Sequence, residues 1–218
     1  MKGLLIKDLR LLLNQKKFYV LVFVIGFILF LNNDTPEAAM GYITIISSML
    51  VITTMSYDEF ENGLSFLMTL PITRVSYVWS KYILGVGLSA VMSVLTTLCA
   101  IFVFKMRGIP YPLPSFLHSG LLFFGVALLF LGVMIPVQLK FGAEKGRYAK
   151  IVVVFVAMGI AAGIVKLLQM LGIDVFLGLE NILNASIFLG FAVITAFSMI
   201  LYLVSAVISL RIMKKKEF

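Results

Sequence analysis

Three carboxylates, Asp58, Glu59 and Glu61, lie close together just after a long apolar stretch. Neighbouring carboxylates can perform acid–base catalysis when one is held protonated and the other ionised. This cluster falls at or beyond the end of the apolar stretch, with no histidine or basic partner inside it. The position of the cluster and its lack of a partner therefore do not support the active site of an intramembrane protease.

Metal and nucleotide chemistry lack their residues in this sequence. The chain has one histidine, His118, and one cysteine, Cys99. Neither an HExxH zinc site nor a thiol site can be assembled from them. The segment GAEKGRYAK, residues 142–150, has glycines and lysines but not the P-loop spacing. We expect no metal, no catalytic residue and no cofactor bound by this chain, which is therefore not an enzyme.

Composition places the chain in a membrane. It is 61% hydrophobic and 13% charged, whereas soluble domains have about 25% charged residues. Apolar runs of about 17–25 residues match the hydrocarbon core of a bilayer. The sequence predicts an all-α polytopic membrane protein, residues 1–218 forming one domain with six transmembrane helices. These are approximately Phe18–Leu31, Ala39–Tyr57, Val78–Phe104, Ser119–Leu139, Ile151–Leu171 and Ala185–Leu210.

The positive charges are distributed unevenly between the two predicted sides. Of the 18 lysines and arginines, all but Lys105, Arg107 and Lys166 fall on the side of the two termini. Basic residues avoid short translocated loops, so both termini are predicted to be cytoplasmic. This topology accounts for the net charge of +8, and we expect no nucleic-acid partner.

Residues 1–17 have the pattern of an amphipathic helix. The apolar face holds Leu5, Ile6, Leu9, Leu12 and Leu13, and the polar arc holds Lys7, Asp8, Arg10, Asn14 and Gln15; Leu4 and Leu11 are exceptions. Such a helix should lie among membrane lipids in the inner headgroup region, held at the interface by Lys7, Arg10, Lys16 and Lys17. The alternative is a charged segment that serves only to orient the protein.

A ridge of small residues recurs every four positions in the third predicted span: Gly85, Ser89, Ser93 and Thr97. Small side chains let a second helix approach closely, and hydroxyl groups bond across the contact. The ridge therefore marks helix packing or a substrate path.

The segment between the second and third spans predicts a short cytoplasmic helix. Asp58, Glu59 and Glu61 suit a helix N-terminus, where the dipole favours negative charge. The apolar run that follows is too short to cross a membrane, and Pro71 should end it. Basic and aromatic side chains then begin the next span as interface anchors; they are Arg74, Tyr77, Trp79 and Lys81.

This segment, ENGLSFLMTLPITRVSYVWSKY, resembles the loop of type-2 ABC-transporter permeases. The family pattern is E-x-G-[ST]-hydrophobic-x-x-L-x-x-L-P-[ILV]-[ST]-R, followed by an aromatic residue and a lysine. The matching residues are Glu61, Gly63, Leu64, Leu67, Leu70, Pro71, Ile72, Thr73, Arg74, Tyr77 and Lys81. Leu64 departs from the pattern, because a small hydroxyl residue is common there. The start MKGLLIKDLRLLL is similar to the elbow helix of the same family.

The resemblance implies a permease subunit that lacks its own ATPase and pairs with a separate ABC ATPase carrying ATP and magnesium. Residues 58–74 would form the coupling-helix loop that docks on that subunit, through Asp58, Glu59, Glu61, Gly63, Leu67, Pro71 and Arg74. A second copy or a sibling permease would complete the transporter in a bacterial-type cytoplasmic membrane. Small six-helix permeases of this shape are similar to exporters of amphipathic or antimicrobial peptides, including phenol-soluble-modulin exporters.

Two other functions remain open from the sequence. An ATP-independent secondary transporter or channel would need functional carboxylates or broken helices near the bilayer midplane, and the spans carry no aspartate or glutamate there. A non-transporting membrane scaffold would differ only in moving no substrate.

Overall fold

The structure is a computed structural model that describes residues 1–32, 35–60, 63–110, 112–170 and 187–216, without most side chains of 143–170 and those of 187–189. Within these residues the chain forms eight α-helices and no strands. They are α1 (Lys2–Asn14), α2 (Lys16–Asn32), α3 (Glu37–Ser48), α4 (Leu50–Glu59), α5 (Gly63–Thr69), α6 (Arg74–Arg107), α7 (Leu113–Met170) and α8 (Ile187–Lys215).

Four helical stretches among the described residues are long and apolar enough to cross a membrane. They are Glu37–Glu59, which joins α3 and α4, then Arg74–Arg107, Leu113–Gly142 and Gly190–Lys215. The second, third, fourth and sixth predicted spans fall on these four stretches. An all-α, multi-pass membrane protein is thereby confirmed.

The other two predicted spans stand differently. The first lies in α2, whose 17 residues are short for a crossing; α1 and α2 together add a fifth stretch only if the bent pair counts as one span. The fifth lies in the second part of α7, where most side chains are not described. A total of six spans therefore stays a prediction.

The chain turns by 62° between α1 and α2, at Gln15. The bend gives α1 a direction different from that of α2. One buried stripe of α1, formed by Leu4, Asp8 and Leu12, faces the protein, whereas Ile6, Leu9 and Leu13 are exposed. A helix with exposed leucines beside a bundle suits the membrane surface, although its position in the bilayer stays a prediction.

A tyrosine pair fixes α6 against α8 near the site described below. The Tyr82 hydroxyl lies 2.7 Å from Ser205 Oγ and 2.8 Å from Ser209 Oγ. Tyr202 donates a hydrogen bond of 3.0 Å to the Tyr82 carbonyl oxygen. Lipid tails cannot form hydrogen bonds with hydroxyl groups at membrane depth, so these hydroxyl groups pair across the two helices. The contact therefore specifies how α6 and α8 meet.

Gly142 interrupts α7. Its φ of 74° lies in the left-handed region, and its φ and ψ are not helical, so α7 is two helices joined at this residue. Glycine adopts this conformation at no steric cost. The break separates the fourth predicted span from the fifth.

Gly142→Ala should lower the melting temperature, because a positive φ with an extended ψ is essentially confined to glycine and costs other residues about 1–3 kcal/mol. Gly87→Ala is the matched control, since a Cβ there meets open space and alanine favours a helix by up to ~1 kcal/mol over glycine. Size-exclusion chromatography after heating in mild detergent measures the melting temperatures of both variants. Equal melting temperatures would contradict the break at Gly142.

Candidate functional site

A buried ionic cluster joins α1, α4 and α6. Lys81 Nζ of α6 lies 2.7 Å from Asp8 Oδ2 of α1 and 2.7 Å from Asp58 Oδ2 of α4. Lys7 of α1 pairs with Asp58 and lies 3.3 Å from Asp8 Oδ1. Asp8, Asp58 and Lys81 are buried, whereas the Lys7 side chain remains 32% exposed. Lys7 thus connects the cluster to the surface.

Two neutral groups complete the cluster. The Tyr77 hydroxyl donates a 3.1 Å hydrogen bond to Asp58 Oδ2. Lys81 Nζ donates a 3.2 Å hydrogen bond to Thr54 Oγ1 and lies 5.3 Å from the centre of the Tyr77 ring. The ammonium group of Lys81 is therefore surrounded by two carboxylates, a hydroxyl and an aromatic face, which replace its water.

The helical repeat explains why these side chains meet. Residues four apart lie on the same face of a helix. Thr54 and Asp58 share a face of α4, and Tyr77 and Lys81 share a face of α6. On α1, Asp8 lies one turn after Leu4 and one turn before Leu12, both of which are buried. Each helix thus brings an ionised group inward on a stripe that is packed anyway.

The cluster is electrically balanced, with two lysines against two aspartates. Buried ion pairs lose hydration, and removing one member leaves an uncompensated charge at a cost of about 3–5 kcal/mol. One carboxylate oxygen of the cluster, Asp8 Oδ1, accepts no hydrogen bond within the described part of the chain, although Lys7 Nζ is 3.3 Å away. Because removing any one charge leaves another without its partner, the four charges stabilise one another.

A second polar contact fixes the last residue of α4. Gln138 Nε2 of α7 donates a 2.9 Å hydrogen bond to Glu59 Oε2. Lys216 Nζ lies 3.1 Å from Glu59 Oε1 and 3.3 Å from the Leu139 carbonyl oxygen. The C-terminal tail is thereby tied to α4 and α7.

Arg74 ties the start of α6 to the end of α8. Its Nη1 donates to the carbonyl oxygens of Lys214 at 2.8 Å and Met213 at 3.4 Å. The last carbonyls of a helix lack intrahelical partners, so the guanidinium group satisfies the end of α8. Thr73 caps α6 at the same place, since its side chain accepts a hydrogen bond from the Ser76 amide.

The short helix α5 lies against the backbone at the end of α4. A Cβ at Gly63 would lie 2.8 Å from the Asp58 carbonyl oxygen, closer than side chains approach. Leu64 of α5 is buried in the core that also contains Tyr77. Phe60, Phe66 and Leu70 are instead 69%, 67% and 41% exposed. We call these three residues the exposed apolar face.

The family comparison now identifies the class of protein. Residues 3–214 match the family described as ABC-2 family transporter protein. The chain belongs to this family. No curated protein and no solved structure matches it. The assignment to the type-2 ABC permeases, made from residues 61–82, is confirmed, and the likeness to phenol-soluble-modulin exporters stays a prediction.

The predicted docking residues of the permease do not form one exposed surface. Their positions in the structure differ: Pro71 is exposed, Glu59, Gly63, Leu67 and Arg74 are partly buried, Asp58 is buried, and Glu61 lies outside the described residues. The interpretation of Asp58 and Glu59 as the first turn of the short helix is wrong. Both belong to α4, because Asp58 finds its partners in the interior. The docking role itself stays a prediction.

Two further expectations are corrected by the cluster. Tyr77 and Lys81 are buried rather than interface anchors, and Asp8 faces the protein rather than water. The reason is mutual: each ionised side chain is neutralised by another from a different helix. Arg10, Lys16 and Lys17 remain exposed as the sequence predicts. The sequence carried one signal of these buried charges. Each charged residue lies four positions from an apolar or hydroxyl residue on the same helix, and the structure shows that residue to be buried.

The small-residue ridge of the permease lies where α6 meets α7 and α8. A Cβ on Gly85 would lie 3.1 Å from Leu131 and would also meet the Tyr202 hydroxyl. Ser93 donates a 2.7 Å hydrogen bond to the Gly120 carbonyl oxygen, and Thr97 donates to the Ser93 carbonyl oxygen. Ser89 is buried in the same row. These contacts are helix packing, and a substrate path along the ridge stays a prediction.

No three His, Cys, Asp or Glu side chains converge as metal ligands among the residues described. The acidic groups of the site, Asp8 and Asp58, are instead occupied by lysines. The arrangement resists relative movement of three helices at one end of the permease.

Lys81→Met should destabilise the permease by about 3–5 kcal/mol, because Asp8 and Asp58 then lose their shared buried cation. Lys105→Met, at an exposed position near the opposite end of α6, is the matched control. The triple variant Asp8→Asn/Asp58→Asn/Lys81→Met should recover part of the loss. Melting temperatures in mild detergent test this; a Lys81→Met variant as stable as the control would contradict the cluster.

Proposed function

We propose that the chain is the membrane subunit of an ATP-driven exporter, in which a separate ATPase docks on α5. The observation that carries the proposal is the direct contact of α5 with the Asp58 backbone, at the residue whose side chain enters the ionic cluster. A partner that moves α5 would move the end of α4. The ion pairs would then pass that movement to α1 and α6.

The exposed apolar face supports the docking step. Large aromatic residues dominate binding energy at protein interfaces when they enter a partner's pocket. Phe60 and Phe66 are far more exposed than the leucines of the same segment that pack inward, Leu64 and Leu67. The face lies on the predicted cytoplasmic side, where an ATPase would bind ATP and magnesium.

The contacts around α4 and α6 support the step in which movement passes from α5 to the membrane spans. α4 is the second half of the apolar stretch Glu37–Glu59, and α6 is the whole of the stretch Arg74–Arg107. Glu59 and Arg74 connect the same region to α7 and to the tail of α8. Movement of α5 would therefore reach several spans together, which is what switching access across a membrane requires.

The assembly and the cargo are inferred from the family resemblance. A second copy or a sibling permease would complete the pathway, as the family resemblance implies. Export of amphipathic or antimicrobial peptides rests on the resemblance to small peptide exporters alone. The described residues give no cluster of charges that defines the cargo.

Phe66→Ala should lower recovery of the ATPase by about 30-fold, the loss expected for a hot spot of ~2 kcal/mol. The measurement is affinity purification of the tagged chain from its native membrane in gentle detergent. Mass spectrometry then gives the molar ratio of P-loop ATPase to permease, and ATP hydrolysis by the purified complex provides a second readout.

Phe102→Ala is the matched control, because Phe102 is 66% exposed on α6, almost as much as Phe66, but lies far from α5. Its ATPase ratio should equal that of the wild type. Equal recovery with Phe66→Ala would remove α5 as the docking element. If the wild type recovers no ATPase in several detergents, the ATP-driven proposal fails and an ATP-independent transporter or scaffold becomes the better hypothesis.

A further inference from the structure

An apolar groove of about 380 Å³ lies between α1 and α6. Leu5 and Leu9 form one wall, and Ile83, Gly87 and Val91 line the other at intervals of one helical turn. The α6 wall is about 12 Å long at 1.5 Å per residue. Gly87 leaves its centre open, since a Cβ there would meet nothing within 4 Å. The shape suits a slender apolar chain.

Four cations on α1 and at the start of α2 have no acidic partner among the described residues. Lys2, Arg10, Lys16 and Lys17 are exposed, and none forms an ion pair with a described residue. Asp8 is the only carboxylate among the first 32 residues of the sequence. It is buried and already paired with Lys7 and Lys81. The surface of α1 and its bend therefore carries an uncompensated positive charge.

We infer that the groove binds an anionic phospholipid, with one acyl chain between α1 and α6 and the phosphate among the exposed cations. Basic residues near a membrane surface attract anionic lipid. A neutral lipid would fill the groove without neutralising the cations. A second copy of the chain would bring another basic α1 and add like-charge repulsion.

Such a lipid would hold α1 in place against α6. Because Lys7 and Asp8 belong to α1, it would also stabilise the ionic cluster from outside. The lipid composition of the leaflet on the basic side would thereby influence the element that joins α4 and α6. This inference does not depend on the presence of an ATPase.

The single tryptophan of the chain, Trp79, reports on the groove. It precedes Ile83 by four residues on α6, about 6 Å along the helix. The purified protein would be reconstituted in phosphatidylcholine vesicles containing increasing mole fractions of acyl-brominated phosphatidylglycerol or acyl-brominated phosphatidylcholine. Brominated phosphatidylglycerol should reach half-maximal quenching at a several-fold lower mole fraction. Equal quenching by the two lipids would overturn the inference.

Two variants separate the groove from the charge. Gly87→Phe fills the groove and should abolish most of the preference; Val193→Phe, at a 63% exposed position on α8, should not. The variant Lys2→Gln/Arg10→Gln/Lys16→Gln/Lys17→Gln should also abolish it, unlike Lys214→Gln/Lys215→Gln in the tail. Size-exclusion chromatography confirms that each variant is folded.

The combinations of results are decisive. Loss of preference in both the groove variant and the four-cation variant supports the site. A preference that survives Gly87→Phe but not removal of the cations indicates general attraction of anionic lipid to α1 and overturns the groove. A change of oligomeric state in Gly87→Phe with unchanged quenching indicates that a second copy occupies the groove, which also overturns the inference.

Discussion

The pairing of Lys81 with Asp8 and Asp58 is the interaction on which the basic end of the protein depends. An ammonium group inside a bundle is stable only where carboxylates replace its water, so Lys81 fixes the distance between α1, α4 and α6. Both oxygen contacts are 2.7 Å. Displacing any one of these helices would separate charges in a medium of low dielectric constant. The three helices therefore hold one arrangement together.

The two ends of the bundle are joined by different residues, with apolar and polar contacts at each. At the basic end, ionic and hydrogen-bonding contacts at Lys81, Glu59 and Arg74 connect α1, α4, α6, α7 and α8. At the other end, a separate core of apolar side chains joins α2, α3, α6 and α7. A movement of α5, as we propose, would reach the ionic contacts at the basic end first.

Two surfaces of opposite character lie next to the ionic cluster. The exposed apolar face around Phe66 offers aromatic side chains that suit a protein partner. The exposed cations of α1 and the groove beneath it suit a lipid with a charged head. In our proposals the two surfaces meet at the cluster, since α5 touches Asp58 and α1 carries Asp8. Protein docking and lipid composition would then act on the same set of ion pairs.

Helical class, four of the spans and the uneven charge distribution were determined by the sequence, because apolar length and charge are local properties. Pro71 likewise predicted where the short helix ends. Only the tertiary structure decided that Asp8, Asp58 and Lys81 turn inward. A helical repeat shows which residues share a face, but in a membrane both the protein-facing and lipid-facing sides are apolar. Hydrophobicity therefore cannot tell them apart, and Asp8 and Lys81 are 73 residues apart, so their pairing appears only when α1 folds back across α6.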